Sequence, residues 1–199
     1  MRVVATNLTF AFSGQPPLFS GLNFALEPGS LTAVVGPSGS GKSTLLSILA
    51  GFAAPTSGEL DRQGTGRTGW VFQNPTGAAR RSAADHVALP LLAKGMTRVA
   101  ADDAALTILD TFALAGVARR DFRRLSGGEA QRLMLARAVA LNPAILLVDE
   151  PTAQLDRNSA ETVISVMAQT ARAECVVIVA THDQRVAESC GTVLELEGA

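Results

Sequence analysis

Three short, predominantly apolar runs constrain the fold of this chain more than any other feature. They read LTAVV at residues 31–35, AILLV at 144–148 and CVVIVA at 175–180. A strand with one face in water alternates apolar and polar residues, whereas an unbroken run is typical of a strand buried on both faces of a parallel sheet. Helical segments lie between the runs, so the sequence predicts an α/β fold with a mainly parallel core sheet.

The segments between and before these runs predict the rest of the organisation. Short β-rich stretches come first, and residues from about 75 to 124 are mostly helical, which predicts a helical subdomain inserted into a single domain spanning 1–199. Within that block, RSAADHVALPLLAKG is expected to be a helix broken at Pro90 and Gly95. APTSGEL, at residues 54–60, is expected to be a turn.

Composition excludes several classes of protein. Of 199 residues, 47% are hydrophobic, enough for a core, and the net charge of −1 gives no overall electrostatic attraction for nucleic acid. The arginine clusters at 80–81 and 119–124 are interpreted as solvated surface. The two cysteines have no metal-binding or disulfide pattern, and no apolar run is long enough to cross a bilayer. We expect a cytoplasmic protein that is soluble or peripheral.

A phosphate-binding pattern follows the first apolar run. GPSGSGKST matches G-x-x-x-x-G-K-[ST] and lies between a predicted strand and a predicted helix. Backbone N–H groups of such a loop surround phosphates, the lysine bridges the β- and γ-phosphates, and the first hydroxyl ligates Mg²⁺. The predicted phosphate-binding residues are Gly36, Pro37, Ser38, Gly39, Ser40, Gly41, Lys42, Ser43 and Thr44, with Ser43 also a metal ligand.

Polar residues follow three further predicted strands. Asp149 and Glu150 end the run ILLVDE, Gln73 follows WVF, and His182 follows VIVAT. Ligand sites of α/β folds lie at the carboxyl ends of the strands, so we expect these side chains to converge. An acid at the position of Asp149 can hold Mg²⁺, and the neighbouring Glu150 is a candidate general base for water.

A helix with an unusual first turn begins at LSGGE. Ser126 and Glu129 fit an S-x-x-E capping box, which explains both of these residues. It does not explain Gly127 and Gly128, because alanine would favour the helix more. Glycines at a helix N-terminus allow another group, most naturally an anion, to approach the backbone closely.

Taken in order, these motifs resemble those of the nucleotide-binding subunit of ATP-binding cassette (ABC) transporters over nearly the whole chain. The chain carries Walker A (GPSGSGKST), Q-loop Gln73, the signature LSGGE, Walker B (ILLVDE), the D-loop AQLD and switch His182. The signature between a P-loop and Walker B distinguishes this family from other P-loop proteins. The resemblance implies an ABC-type P-loop fold with a small antiparallel β-subdomain.

The resemblance also implies roles for the site residues. Ser126, Gly127, Gly128 and Glu129 would contact ATP held by a second subunit in a head-to-tail dimer, which would account for the glycines. That subunit is either another copy of this chain or a paralogue.

Further roles carry over by position. Glu150 is similar to the catalytic base, His182 to the residue that senses the γ-phosphate, and Gln73 to a contact for Mg²⁺ and water. Asp156 matches the D-loop aspartate, and Phe12 occupies the place of an aromatic that stacks on adenine. The expected cofactors are ATP and Mg²⁺.

Within the family, DHVALPLLAKG, VFQNP and DEPTAQLD resemble the lipoprotein-release and macrolide-export branch. This implies an ATPase on the inner face of the cell membrane that drives a separate permease and exports or extracts a hydrophobic or lipid-like substrate. Two alternatives stay open: a regulatory ABC ATPase that signals through a permease-like protein, and an importer. The segment 57–69 is shorter than usual, and NPTGAARRSA after Gln73 replaces the branch's bulky apolar residues.

Overall fold

The computed structural model describes residues 1–153, 155–172 and 174–197. Gln154, part of the AQLD segment, lies outside the described residues. The strands are β1 (Arg2–Ala11), β2 (Pro17–Leu26), β3 (Leu31–Val35), β4 (Ser57–Gln63), β5 (Thr68–Val71), β6 (Ile145–Asp149), β7 (Val176–Ala180) and β8 (Thr192–Glu195). The helices are α1 (Lys42–Ala50), α2 (Ala83–Leu92), α3 (Arg98–Thr111), α4 (Gly127–Ala140), α5 (Arg157–Arg172) and α6 (Gln184–Ser189).

A five-stranded sheet forms the centre of the fold. Its order is β5-β6-β7-β3-β8, and every neighbouring pair is parallel. All residues of β6 and β7 are buried, as expected for strands covered on both faces. The predicted parallel core is therefore confirmed, and the carboxyl ends of its strands lie along one edge.

A three-stranded antiparallel sheet, in the order β2-β1-β4, lies against one side of this core. Its inward residues, such as Val3, Leu8 and Phe19, pack with α1 and with the buried face of β6 and β7. This confirms the expected small antiparallel sheet. The turn expected over residues 54–60 is wrong for its second half, because Ser57 begins β4.

Pairing between distant segments overrides the local turn signal in β4. Leu60 pairs with Ala5 of β1, and Glu59 pairs with Thr6. Gly58 adopts φ +85° at an irregularity in this pairing, where an added Cβ would collide with the carbonyl of Asn7. The same glycine that suggested a turn is thus needed inside the strand.

Helices α2, α3, α4 and α5 cover the opposite face of the central sheet. The expected break at Pro90 is wrong, since α2 continues through this residue to Leu92. Proline lacks the N–H that would bond to the His86 carbonyl, but α2 ends two residues later, so little of the helix depends on that bond. The subdomain boundary at 75–124 stays a prediction. In the parts of the chain that the structure describes, no helix has both the length and the apolar character needed to span a bilayer.

Candidate nucleotide site

Residues predicted from four separate motifs surround one cavity of about 490 Å³ at the carboxyl edge of the central sheet. We call it the nucleotide cavity. The loop between β3 and α1 forms one wall, and the residues after β5, β6 and β7 form the other. It is lined by Gly36, Pro37, Ser38, Gly39, Lys42, Ser43, Gln73, Asp149, Glu150 and His182. The convergence expected from the strand ends is therefore present in the structure.

The glycine-rich loop packs closely against Leu196, the residue that follows β8. Gly36 has φ +153°, and a Cβ at this position would collide with the Leu196 carbonyl and approach the Ser40 hydroxyl. Ser40 is buried below the loop, and its N–H donates to the Pro37 carbonyl at 3.2 Å. Thr44 lies in the first turn of α1, whose N-terminus adjoins the loop and contributes partial positive charge.

Lys42 places a positive charge at the mouth of this loop. Its Nζ atom donates to the carbonyls of Gly36 at 2.8 Å and Pro37 at 2.9 Å. Both acceptors belong to the loop itself, so the long side chain folds back over the backbone N–H groups. An ammonium and a helix N-terminus together favour the binding of a polyanion such as a triphosphate.

Asp149 is the last residue of β6 and is only 8% exposed. Burial raises the pKa of its carboxyl group, a hydrogen bond from the Ser43 hydroxyl and the nearby Lys42 lower it, and Glu150 raises it further. A hydroxyl and a carboxylate that share a hydrogen bond beside a phosphate loop match the ligands Mg²⁺ takes, which are one or two protein oxygens plus phosphate and water. The donor set present therefore fits Mg²⁺.

Glu150 has a strained backbone and a fixed carboxylate. Its φ is +47°, which is unfavourable for a residue with a side chain, and its N–H donates to the Ala180 carbonyl at 2.9 Å. The Oε1 atom lies 2.9 Å from His182 Nδ1, while Oε2 accepts from the Thr181 hydroxyl and the His182 N–H, both at 3.4 Å. Glu150 is thus aimed into the cavity by contacts from the last residue of β7 and the two residues that follow it.

Sequence reasoning missed two residues that hold this arrangement in place. The buried hydroxyl of Thr152 donates to Asp183 Oδ2 at 2.9 Å, which joins the segment after β6 to the segment after β7. Hydrogen bonds from Arg185 and Thr152 lower the pKa of Asp183 to about 2. Asp183 also caps α6 through the Arg185 N–H. The sequence signal was an aspartate directly before a short helix and directly after His182.

The LSGGE segment begins α4 with the predicted capping box. The Ser126 N–H donates to Glu129 Oε2 at 2.7 Å, and the Glu129 N–H donates to Ser126 Oγ at 3.2 Å. The second bond uses a lone pair of the Ser126 oxygen, so the hydroxyl proton can still be donated outward. Gly127 and Gly128 form the first turn. All four residues lie outside the nucleotide cavity of their own chain.

Two other predicted residues also lie outside the cavity. Asp156 precedes α5, where its carboxylate accepts the N–H and the hydroxyl of Ser159. Phe12 follows β1 and is half exposed, with its ring edge-on to Phe10 at a centroid distance of 5.1 Å. Phe10 in turn lies 6.2 Å from Phe19, which packs under the phosphate loop beside Gly41. The assigned roles of Asp156 and Phe12 stay predictions.

Known proteins that are similar in sequence to this chain are described as ATP-binding proteins. An uncharacterised ABC transporter ATP-binding protein of Mycobacterium tuberculosis is 38% identical over 191 residues, covering 88% of this chain and 58% of that protein. The chain therefore spans little more than half the length of such relatives. The lipoprotein-releasing system ATP-binding protein LolD of Pseudoalteromonas translucida is 36% identical, covering 93% of this chain and 87% of LolD.

Solved structures agree with the sequence relatives. The ATP-binding cassette MJ0796, described as a dimer in a post-hydrolysis state bound to ADP and Pi, superposes with a TM-score of 0.86 at 30% identity, covering 98% of this chain and 96% of that one. Residues 19–153 match the family described as ABC transporter. From its fold, its cavity and these relatives, we conclude that the chain belongs to the family of ABC transporter ATP-binding proteins.

Proposed function

We propose that this chain hydrolyses ATP to ADP and phosphate as the ATP-binding subunit of an ABC transporter. The observation that carries the proposal is the position of Glu150, held by His182 on the wall of the cavity that faces the phosphate loop. A carboxylate fixed beside a phosphate site can accept a proton from a water molecule that attacks phosphorus. The MJ0796 dimer with ADP and Pi, a structure with the same fold, supports this reaction.

We assign a different role in phosphoryl transfer to each group of residues in the cavity. Lys42 and the loop N–H groups hold the β- and γ-phosphates and offset their charge. Ser43 and Asp149 would ligate Mg²⁺, with Gln73 beside them; when bound, the ion neutralises charge on the phosphate oxygens. Glu150 takes the proton from water, and an N–H group of the His182 imidazole can donate to the transferred group and stabilise its charge.

The signature residues require a second copy to reach a nucleotide. Ser126, Gly127 and Gly128 lie outside the cavity of their own chain, yet they present a helix N-terminus and a hydroxyl that can donate. A head-to-tail dimer in which each signature faces the partner's Lys42 would use both features. The dimeric state described for MJ0796 supports the pairing of two subunits.

A second surface suits a membrane partner. Next to Gln73 lies a groove of about 330 Å³ that is lined mainly by apolar side chains, including Trp70, Phe72, Leu89 and Met134. Phe72 is 52% exposed and stacks on Trp70 at a centroid distance of 4.8 Å. Exposed aromatic groups next to a cavity are typical of protein interaction sites. We assign this groove to a permease, which would hold the chain on the inner face of the cell membrane.

The likeness to LolD supports export or extraction of a lipid-like substrate as the work driven by hydrolysis. The test is a pull-down of the Glu150→Gln protein with MgATP from native membranes. Recovery of a permease would support the transport assignment. Recovery of a permease-like protein bound to a wall hydrolase would favour signalling, and recovery of soluble partners alone would contradict the membrane assignment.

A further inference from the structure

A chain of hydrogen bonds joins the signature helix α4 to Asp156 at the start of α5. On α4, Arg132 donates through Nη1 to the hydroxyl oxygen of Ser159. That hydroxyl donates to Asp156 Oδ2 at 2.7 Å, and the Ser159 N–H donates to Asp156 Oδ1 at 3.0 Å. Both carboxylate oxygens of Asp156 are therefore held by a residue that is itself held by α4.

The chemistry of these three residues fixes which group donates and which accepts in each hydrogen bond. Arginine has donors but no acceptor, so the Ser159 oxygen must accept from Arg132. The single hydroxyl proton of Ser159 is then committed to Asp156. The two bonds from Ser159 lower the pKa of Asp156, so its carboxylate is ionised and accepts only. Bonds aligned in one direction polarise each other, which strengthens the series.

Arg132, at the other end of this hydrogen-bond series, is also held in place. Arg132 Nε donates to the Phe112 carbonyl at 3.1 Å, at the point where α3 has just ended. The Phe112 side chain is buried in the core, so this carbonyl is a fixed point. A planar guanidinium held through two of its nitrogens has one orientation, which a lysine could not reproduce.

We infer that Arg132 and Ser159 are positioning residues that fix Asp156 relative to the first turn of α4. Arg132 lies six residues after Ser126, about 9 Å along the same helix. The signature and the D-loop aspartate then reach a second copy as one rigid surface rather than as two independent segments. This inference rests on the proposed head-to-tail dimer, and it adds two residues to the machinery that none of the motifs contains.

The experiment measures ATP-dependent dimerisation and ATP affinity separately. In the Glu150→Gln protein, Ser159→Ala should weaken dimerisation about tenfold, because the series is cut at its centre. Affinity of the single chain for ATP should be unchanged, since Arg132 and Ser159 lie outside the nucleotide cavity. Ser159→Thr keeps the hydroxyl and should restore dimerisation. Thr162→Ala is the matched control, because that hydroxyl donates to the Asn158 carbonyl of its own helix, α5.

A double-variant cycle tests whether the residues act as a series. Arg132→Met keeps the apolar stem of the side chain, and combining it with Ser159→Ala should cost no more than the larger single effect. Three results would overturn the inference. The two substitutions could have additive effects on dimerisation, Ser159→Ala could leave dimerisation unchanged, or Ser159→Ala could weaken ATP binding to the single chain as much as it weakens dimerisation. If the Glu150→Gln parent itself stays monomeric with ATP, the proposed dimer is wrong and the inference falls with it.

Discussion

The Nδ1 atom of His182 lies 2.9 Å from Oε1 of Glu150, and the two residues follow adjacent parallel strands. The Glu150 side chain is 10% exposed, whereas that of His182 is 70% exposed. The imidazole therefore extends from a fixed carboxylate toward the open side of the cavity. Glu150 also has φ +47°, so backbone strain is concentrated at the residue proposed as the base.

Removing the imidazole tests this relationship. His182→Ala should lower ATP turnover about 100-fold, because the carboxylate loses its contact and the γ-phosphate loses a donor. Affinity for ATP should change little, since Lys42 and the loop are intact. Turnover at saturating ATP and nucleotide binding are measured on the same preparation. Wild-type turnover in His182→Ala would show that the contact has no part in the reaction.

Lys42 is expected to carry much of the nucleotide affinity. Lys42→Ala removes the ammonium that is held over the phosphate loop, and the loss of charge-assisted bonds to phosphate should weaken ATP binding about 100-fold. Lys94, the other lysine of the chain, donates to the Ala140 carbonyl far along α4, so Lys94→Ala is the matched control. Equal affinities in the two variants would contradict the assignment of the loop.

Much of this site could be predicted because it follows from local rules. The order strand, glycine loop and helix predicts a phosphate site, and the carboxyl ends of parallel strands must share an edge, which brings Gln73, Asp149 and His182 together. The capping box of Ser126 and Glu129 is likewise contained within four residues.

What could not be predicted depends on contacts between distant segments. The positive φ of Glu150 is maintained by bonds from β7, and the bond from Thr152 to Asp183 joins residues 31 positions apart. β4 was expected to begin with a turn because only its pairing with β1 makes Ser57 and Gly58 part of a strand. Pro90 similarly remains helical because α2 is packed against α3 and α4.

The lowered pKa of Asp183 predicts a pH-dependent contribution to stability. Its folded value is about 2, below the ordinary value of 3.8, so the ionised carboxylate stabilises the fold above pH 3.8 and this contribution is lost as pH falls toward 2. Asp183→Asn should lower the free energy of unfolding at pH 7 by about 1 kcal/mol, after allowing for the exposure of Arg185.

Thermal unfolding of the two proteins from pH 7 to pH 3 checks this. The difference in free energy of unfolding between wild type and Asp183→Asn should become smaller once the pH is below about 4, since the aspartate then begins to protonate in the unfolded chain. A difference that stays constant over the whole range would mean that the hydrogen bonds, and not the charge, account for the stabilisation.

The apolar groove beside Gln73 is expected to hold the membrane partner. Phe72→Ser removes an exposed ring from the groove without touching the nucleotide cavity, so it should reduce co-purification with a permease at least tenfold while ATP binding is unchanged. Val99→Ser alters another exposed apolar residue, 72% exposed on α3 and outside the groove, and serves as the control. Retention of the partner by Phe72→Ser would place the interface elsewhere.

The central claim is that two copies of this chain close around ATP, with the signature of each against the phosphate loop of the other. It is tested most directly by the molar mass of Glu150→Gln in solution, measured by light scattering with and without MgATP. We expect one chain without nucleotide, two chains with MgATP, and one chain again when Ser126→Arg blocks the signature. A Glu150→Gln protein that binds ATP fully and remains a single chain, or a Ser126→Arg variant that still pairs, would contradict it.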